Sequence, residues 1–149
     1  MADSTTIYDD SGAPLCTING SVSQAHPGDA GLDVYYMGSS PVALGSLDRY
    51  GFPTGITVEI HNPEYYVSVR PRSGLSFNHG VTVLNAPGTV DAGYTGEVKV
   101  CLVNLSKEEY TVYPGDKIAQ LVIDRNYIGD THHVSSDGRG DSGFGDSGR

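Results

Sequence analysis

Tryptophan is missing from this chain, and cysteine occurs only twice, at Cys16 and Cys101. Two thiols so far apart match no metal or redox spacing, which excludes a zinc module or a disulfide scaffold as the source of stability. Both are expected as reduced thiols, buried or partly buried. No apolar run approaches the roughly 20 residues of a membrane span, and the polar start does not read as a secretory leader. A cytoplasmic location away from membranes is therefore expected, where the sequons Asn19-Gly20-Ser21 and Asn104-Leu105-Ser106 would never meet the glycosylation machinery. Basic residues are scarce: 9 Lys and Arg stand against 18 Asp and Glu, a net charge of -9. That balance argues against nonspecific binding to a nucleic-acid backbone. It leaves room for one small anion if a few arginines and a divalent cation offset the repulsion.

What is abundant points to strands and turns. Across 149 residues there are 20 glycines, 8 prolines and 10 tyrosines, with 38% hydrophobic residues, enough for one folded domain with a real core. Residues 1–13 are polar and expected to be loosely ordered. From Leu15 to about Ile128, strand-like runs alternate with turn signals and no 3.6-residue period is sustained. Gly55–Ile60 and Tyr65–Val69 flank the turn His61-Asn62-Pro63-Glu64 as a hairpin would. Gly74 to Phe77 suits a short helical turn, and Lys117–Ile123 is a further β-rich run. The expected organisation is a β domain over 1–134 followed by a flexible glycine-rich lid over 135–149. One aromatic, Phe144, with Arg139 before it, suits a segment that closes over a ligand.

The most informative stretch is Gly88-Thr89-Val90-Asp91-Ala92-Gly93-Tyr94-Thr95-Gly96-Glu97. A carboxylate sits at a sharp turn between the β-rich arms Val83-Leu84 and Val98–Val103, with glycines around it and an aromatic ring three residues on. Such a hairpin can hold one Asp rigidly while bare amides and carbonyls line a slot for a flat ligand. A plain surface turn would use the same residues. Four other segments resolve the choice: Asp29-Ala30-Gly31-Leu32-Asp33-Val34, Arg70-Pro71-Arg72-Ser73-Gly74-Leu75-Ser76, Gly115–Val122 with Gln120, and Arg139–Gly148 with Phe144 and Gly145. With Asn85–Tyr94 they closely resemble the five motifs of the trimeric deoxyuridine triphosphatase (dUTPase) family, in the family's order and approximate spacing from about Ala30 to Gly148.

The resemblance implies an all-β, jelly-roll-like antiparallel barrel assembled as a homotrimer. Each of its three sites is shared: motifs one, two and four from one chain, the Asp91 segment from a second, the tail from the third. It implies hydrolysis of dUTP to dUMP and pyrophosphate, which keeps uracil out of DNA and supplies a precursor of dTMP. Asp91 is then the general base that orients a water for attack on the α-phosphorus. Tyr94 packs under the sugar and excludes a 2′-hydroxyl. Asn85 reads the uracil edge, aided by backbone at Thr89, Val90 and Lys99, so that thymine is excluded sterically and cytosine by donor–acceptor mismatch. Arg72, Ser73 and Gly74 grip the phosphates, Gln120 lies near the α-phosphate and attacking water, Arg139 meets the γ-phosphate, and Phe144 covers the uracil. Mg²⁺ is held chiefly by phosphate oxygens and waters, with Asp33 in the surrounding polar network.

Blander readings compete at single positions: Asp33 and Gln120 as partners of buried polar groups, Arg72 as a surface charge. Asp146 departs from the family's tail, where a hydroxyl is usual, and a carboxylate there opposes a γ-phosphate unless it points away. Arg139-Gly140-Asp141-Ser142 and Gly140-Asp141-Ser142-Gly143 look like an integrin tripeptide and a protease nucleophile segment, but nothing else in the chain supports either. Two rivals remain: a dCTP deaminase, plain or bifunctional, on the same fold, and a dUTPase-like protein whose main work is binding a regulatory protein.

Overall fold

The computed structural model describes residues 3–128. Twelve strands and one helix follow in order: β1 Ser4–Tyr8, β2 Pro14–Asn19, β3 Val22–Ser23, β4 Gly31–Tyr35, β5 Val42–Leu44, β6 Arg49–Ile60, β7 Tyr65–Arg70, α1 Ser73–His79, β8 Val81–Val83, β9 Gly88–Val90, β10 Val98–Asn104, β11 Tyr110–Val112 and β12 Lys117–Arg125. They form two five-stranded sheets, ordered β1-β2-β6-β10-β8 and β3-β4-β12-β7-β9, and a β11-β5 ribbon. Each pairing is antiparallel, so the all-β antiparallel architecture expected from the motifs holds.

Alternation explains why the sheets pack as they do. In β6, Phe52, Ile56 and Val58 point inward; in β12, Ala119 and Leu121 alternate in the same way and Ile118 is buried as well, beside the register shift against β4. With Ile18, Val34, Val67, Val69, Val100 and Leu102 they merge into one apolar cluster between the sheets. Cys16 lies wholly inside it and Cys101 is half-buried, both as free thiols. Burial pushes the Cys16 thiol up to about 11. The helical turn expected after Arg72-Ser73 is α1, stopped by Gly80, whose φ of 67° is the left-handed conformation glycine favours.

Two expectations are corrected. The described part of residues 1–13 is not loose: Ser4–Tyr8 pairs along β2, Thr6 and Thr17 join hydroxyls at 2.8 Å, and Ile7 packs on the core. The link to β2 is a turn organised by Asp9 Oδ1, which accepts from Ser11 N, Ser11 Oγ and Ala13 N at 2.8, 2.7 and 3.0 Å. These bonds, the Ser11 hydroxyl first, hold the Asp9 carboxyl below its usual range. Low hydrophobicity is what a one-sided edge strand needs, so polarity there did not signal disorder.

The second correction concerns Gly55–Ile60 and Tyr65–Val69, which are not a hairpin. β6 pairs with β2 and β10, whereas β7 pairs with β12 and β9 in the other sheet. The His61–Glu64 segment is a corner between sheets, fastened by His61 N and Asn62 N donating to Leu15 O at 2.8 and 3.2 Å. Turn residues are the same for a hairpin and a corner; partners distant in sequence decide between them.

Candidate active site

Strands β4, β12 and β7 are neighbours in the second sheet, and their register aligns Asp33 opposite Gln120 and Gln120 opposite Arg70. Directly opposed residues share a face. Their sequence neighbours Val34, Leu121 and Val69 fill the core, so Asp33, Gln120 and Arg70 form a polar row on the outer face. β7 then runs through Pro71 and Arg72 into α1. The result is a cleft of about 440 Å³ whose walls come from residues 29–33, residues 70–74 and Gln120. Three of the five sequence segments thus meet in one place.

Its charges are tightly arranged. Asp33 is buried, with Oδ1 3.2 Å from Arg72 Nε and Oδ2 3.3 Å from Lys117 Nζ. Lys117 reaches this face because the β12–β4 register shifts between Lys117 and Ala119, so that Lys117 stands opposite Tyr35, two residues along from Asp33. An extra residue in one strand re-aims the side chains that follow it, a common device beside functional sites. Arg70 is held in turn, Nη2 donating to Asp124 Oδ2 at 2.5 Å and Nε to Ser68 Oγ at 3.1 Å. Gln120 Nε2 donates to Pro71 O at 2.9 Å. Ser73 and Gly74 open α1, where the first backbone N–H groups have no intrahelical partner. Fixed guanidinium groups, a hydroxyl and such amides on one wall suit the oxygens of a polyphosphate. Arg70 and Lys117 belong to this cleft's charge set and carried no role in the sequence reading. Arg70 stood next to a recognised motif, but the Lys117 contact depends on a register shift that the sequence does not announce.

The Asp91 stretch is not a simple hairpin. Its arms do pair, Val83 opposite Leu102 and Val81 opposite Asn104, but the chain between them crosses to the other sheet, where β9 pairs with β7. Asp91 follows β9 and is exposed. Tyr94 N donates to Asp91 O at 3.0 Å, Tyr94 Oη donates to Glu97 O at 2.6 Å, and the half-buried ring packs on the core. Glu97 Oε2 accepts from Gly55 N at 2.9 Å, tying this turn to the irregular step where β6 meets β10. Asn85 and Lys99 line a second cleft of about 310 Å³ with Gly51, Leu84 and Cys101. Val90 is buried and Thr89 exposed, so the Val90 side chain belongs to the core.

Distances separate the two halves within one chain. Val90 pairs with Val67 and Gly88 with Val69. Asp91 therefore lies about four residues from Arg70 along the same sheet edge, on the order of 13 Å at ~3.4 Å per residue. Asp33, Arg72, Ser73, Gly74 and Gln120 converge; Asp91, Tyr94, Asn85 and Lys99 lie elsewhere on the same chain. Arg139, Phe144 and Gly145, and with them the expected lid over 135–149, fall outside the described residues. Among the described residues no group of three or more His, Cys, Asp or Glu could hold a metal ion, and no helix is long and apolar enough to cross a membrane.

Known proteins match this chain along most of its length. The family model described as dUTPase matches residues 20–148. The deoxyuridine 5'-triphosphate nucleotidohydrolase of Fusobacterium nucleatum is 47% identical over 127 residues, covering 82% of this chain and 85% of that protein. Among solved structures, the EIAV dUTPase superposes with a TM-score of 0.66 at 20% identity, covering 92% of this chain and 98% of the other. A dUTPase from phage phi11 of S. aureus, in a variant that reveals the coordination of a structural Mg(II) ion, gives 0.65 at 22% identity, covering 78% and 90%.

Proposed function

This chain belongs to the dUTPase family and is a dUTP-hydrolysing enzyme, and we propose that it works through sites divided between copies of itself in a homotrimer. The observation that supports this reading is the separation of a complete phosphate cleft from Asp91 along one sheet edge. Asp91 lies about 13 Å along the sheet edge from Arg70 at the cleft, too far to serve as base for a nucleotide held there, whereas Asp91 of a neighbouring copy can reach it. In each site, Arg72, Ser73 and Gly74 bind the β- and γ-phosphates of dUTP and Gln120 faces the α-phosphate. Asp33 keeps the Arg72 guanidinium in place by their ion pair. From the second copy, Asn85 and the backbone of Thr89, Val90 and Lys99 receive the uracil, and Tyr94 closes the space beneath the sugar.

Asp91 accepts a proton from water as that water's oxygen bonds to the α-phosphorus. The bond from the α-phosphorus to the bridging oxygen breaks, leaving dUMP and pyrophosphate. A carboxylate is a weak base in bulk water, so its contribution is orientation in a fixed, partly dehydrated site. The third copy supplies the tail, with Arg139 at the γ-phosphate and Phe144 and Gly145 over the base.

Magnesium fits this site as a passenger of the triphosphate. The described residues offer no cage, and both oxygens of Asp33 already face cations. Mg²⁺ keeps most of its waters and takes phosphate oxygens readily, and when bound it neutralises phosphate charge; Asp33 would meet it only through water. The setting for this activity is the cytoplasmic nucleotide pool, where it withholds uracil from DNA and supplies dUMP for dTMP synthesis.

The deciding experiment is a product assay on each deoxynucleoside triphosphate with and without Mg²⁺. The reading requires dUMP and pyrophosphate from dUTP and no ammonia from dCTP. Ammonia release would select the deaminase, and no turnover of either would select a binding protein.

A further inference from the structure

We propose that Gly31 is a positioning residue for Gln120, and that a side chain at this position would misdirect the carboxamide in the phosphate cleft. Gly31 is opposite Val122, two residues along the ladder from the Asp33–Gln120 pair and on the same face, so the Gln120 side chain crosses directly above it. A Cβ on Gly31 would stand 2.1 Å from Gln120 Oε1, inside any allowed contact, and 3.0 Å from Cδ, a tight one. The other end of the same amide is fixed, Nε2 donating to Pro71 O at 2.9 Å. The carboxamide is thus held between a carbonyl at the start of the Arg72 turn and the bare backbone of β4, lying along the cleft floor.

Backbone conformation at this position does not ask for glycine. Gly31 is within a regular strand and is absent from the glycines with positive φ. The three atoms nearest to such a Cβ all belong to Gln120, whereas a Cβ on Gly74, on the opposite wall, would meet nothing within 4 Å. Because the obstructed group is the free end of a flexible side chain, alanine is accommodated by swinging the carboxamide away from β4. That movement breaks the Pro71 bond and carries the amide up into the space between Arg70 and Arg72. The consequence is a site that folds and mispositions its ligand.

This inference rests on the reading that Gln120 faces the α-phosphate, and a double-mutant cycle separates the two. Gly31→Ala, Gln120→Ala and the double variant are compared for kcat/KM on dUTP, affinity for a non-hydrolysable dUTP analogue with Mg²⁺, and thermal midpoint. Misplacement on an ångström scale is expected to lower kcat/KM about tenfold or more in Gly31→Ala, to weaken the analogue, and to leave the melt within about 2 °C of the parent. In the Gln120→Ala background the same substitution should have no further effect on either functional readout. Full activity of Gln120→Ala would overturn the Gln120 reading and this inference with it. An impaired Gln120→Ala beside a fully active Gly31→Ala would overturn this inference alone. So would an equal loss from Gly31→Ala in both backgrounds, or a loss that tracks a lowered melting temperature.

Discussion

Two inactive variants should restore each other's activity when their chains are mixed. Arg72→Ala removes the cleft's central cation and the partner of Asp33 Oδ1. Asp91→Asn keeps the shape of the loop but cannot take the proton, a loss on the order of 10² to 10⁴-fold. Because Asp91 and Arg70 are about 13 Å apart along one sheet edge, the site proposed above takes its cleft and its base from different chains. In a ring of three, each site pairs the cleft of one copy with the base of the next. When equal amounts of the two variants assemble at random, about one site in four combines an intact cleft with an intact Asp91. The assay is pyrophosphate release after co-refolding, titrated across mixing ratios. Activity should peak at the equal mixture near one quarter of wild type and fall symmetrically on either side. Each variant refolded alone remains near background. A mixture no more active than the better parent, with exchange verified by native mass spectrometry, would refute the divided site and require Asp91 and Arg72 to act within one chain.

Tyr94→Ala should raise turnover of UTP relative to dUTP while dCTP stays poor, and Tyr94→Phe, which keeps the ring and removes the hydroxyl that donates to Glu97 O, should keep the parent's preference; an unchanged UTP to dUTP ratio in the alanine variant would remove Tyr94 from sugar selection. Asn104 is wholly buried, donating to Leu44 O and Glu108 O at 2.8 and 2.7 Å and accepting from Ser106 N and Oγ at 2.9 and 2.8 Å. Asn104→Ala strands several of these groups and should lower stability by about 2–4 kcal/mol in urea melts, so an unmoved midpoint would count against the network. Stability should also fall between pH 9.0 and about 11, the ordinary and the folded positions of the Cys16 thiol. Above the lower value the unfolded chain gives up this proton while the folded chain keeps it, which favours unfolding. Cys16→Ala should flatten that part of the profile, and an identical slope in both proteins would show that other groups cause it.

The sequence by itself determined the elements whose signal is local. The β-rich run Lys117–Ile123 made β12, Gly80 ended the turn begun at Arg72-Ser73, and the five short segments carried the family resemblance from which Asp91, Arg72, Asn85 and Tyr94 are proposed as site residues. Turn chemistry reports that the chain bends, not where it goes next. The corner at His61–Glu64 therefore looked like a hairpin, and the Asp91 excursion concealed that β9 joins the sheet opposite to β10. Polarity at the N-terminus was compatible with a loose tail and with the edge strand Ser4–Tyr8, and only the presence of β2 beside it decided between them. Tertiary structure alone aligned Asp33, Gln120 and Arg70 in one row, turned Lys117 onto their face by a register shift, and laid the Gln120 amide over Gly31. Residue types prescribe the chemistry that a site can perform. Register, set by packing between strands far apart in sequence, decides which of those residues can touch.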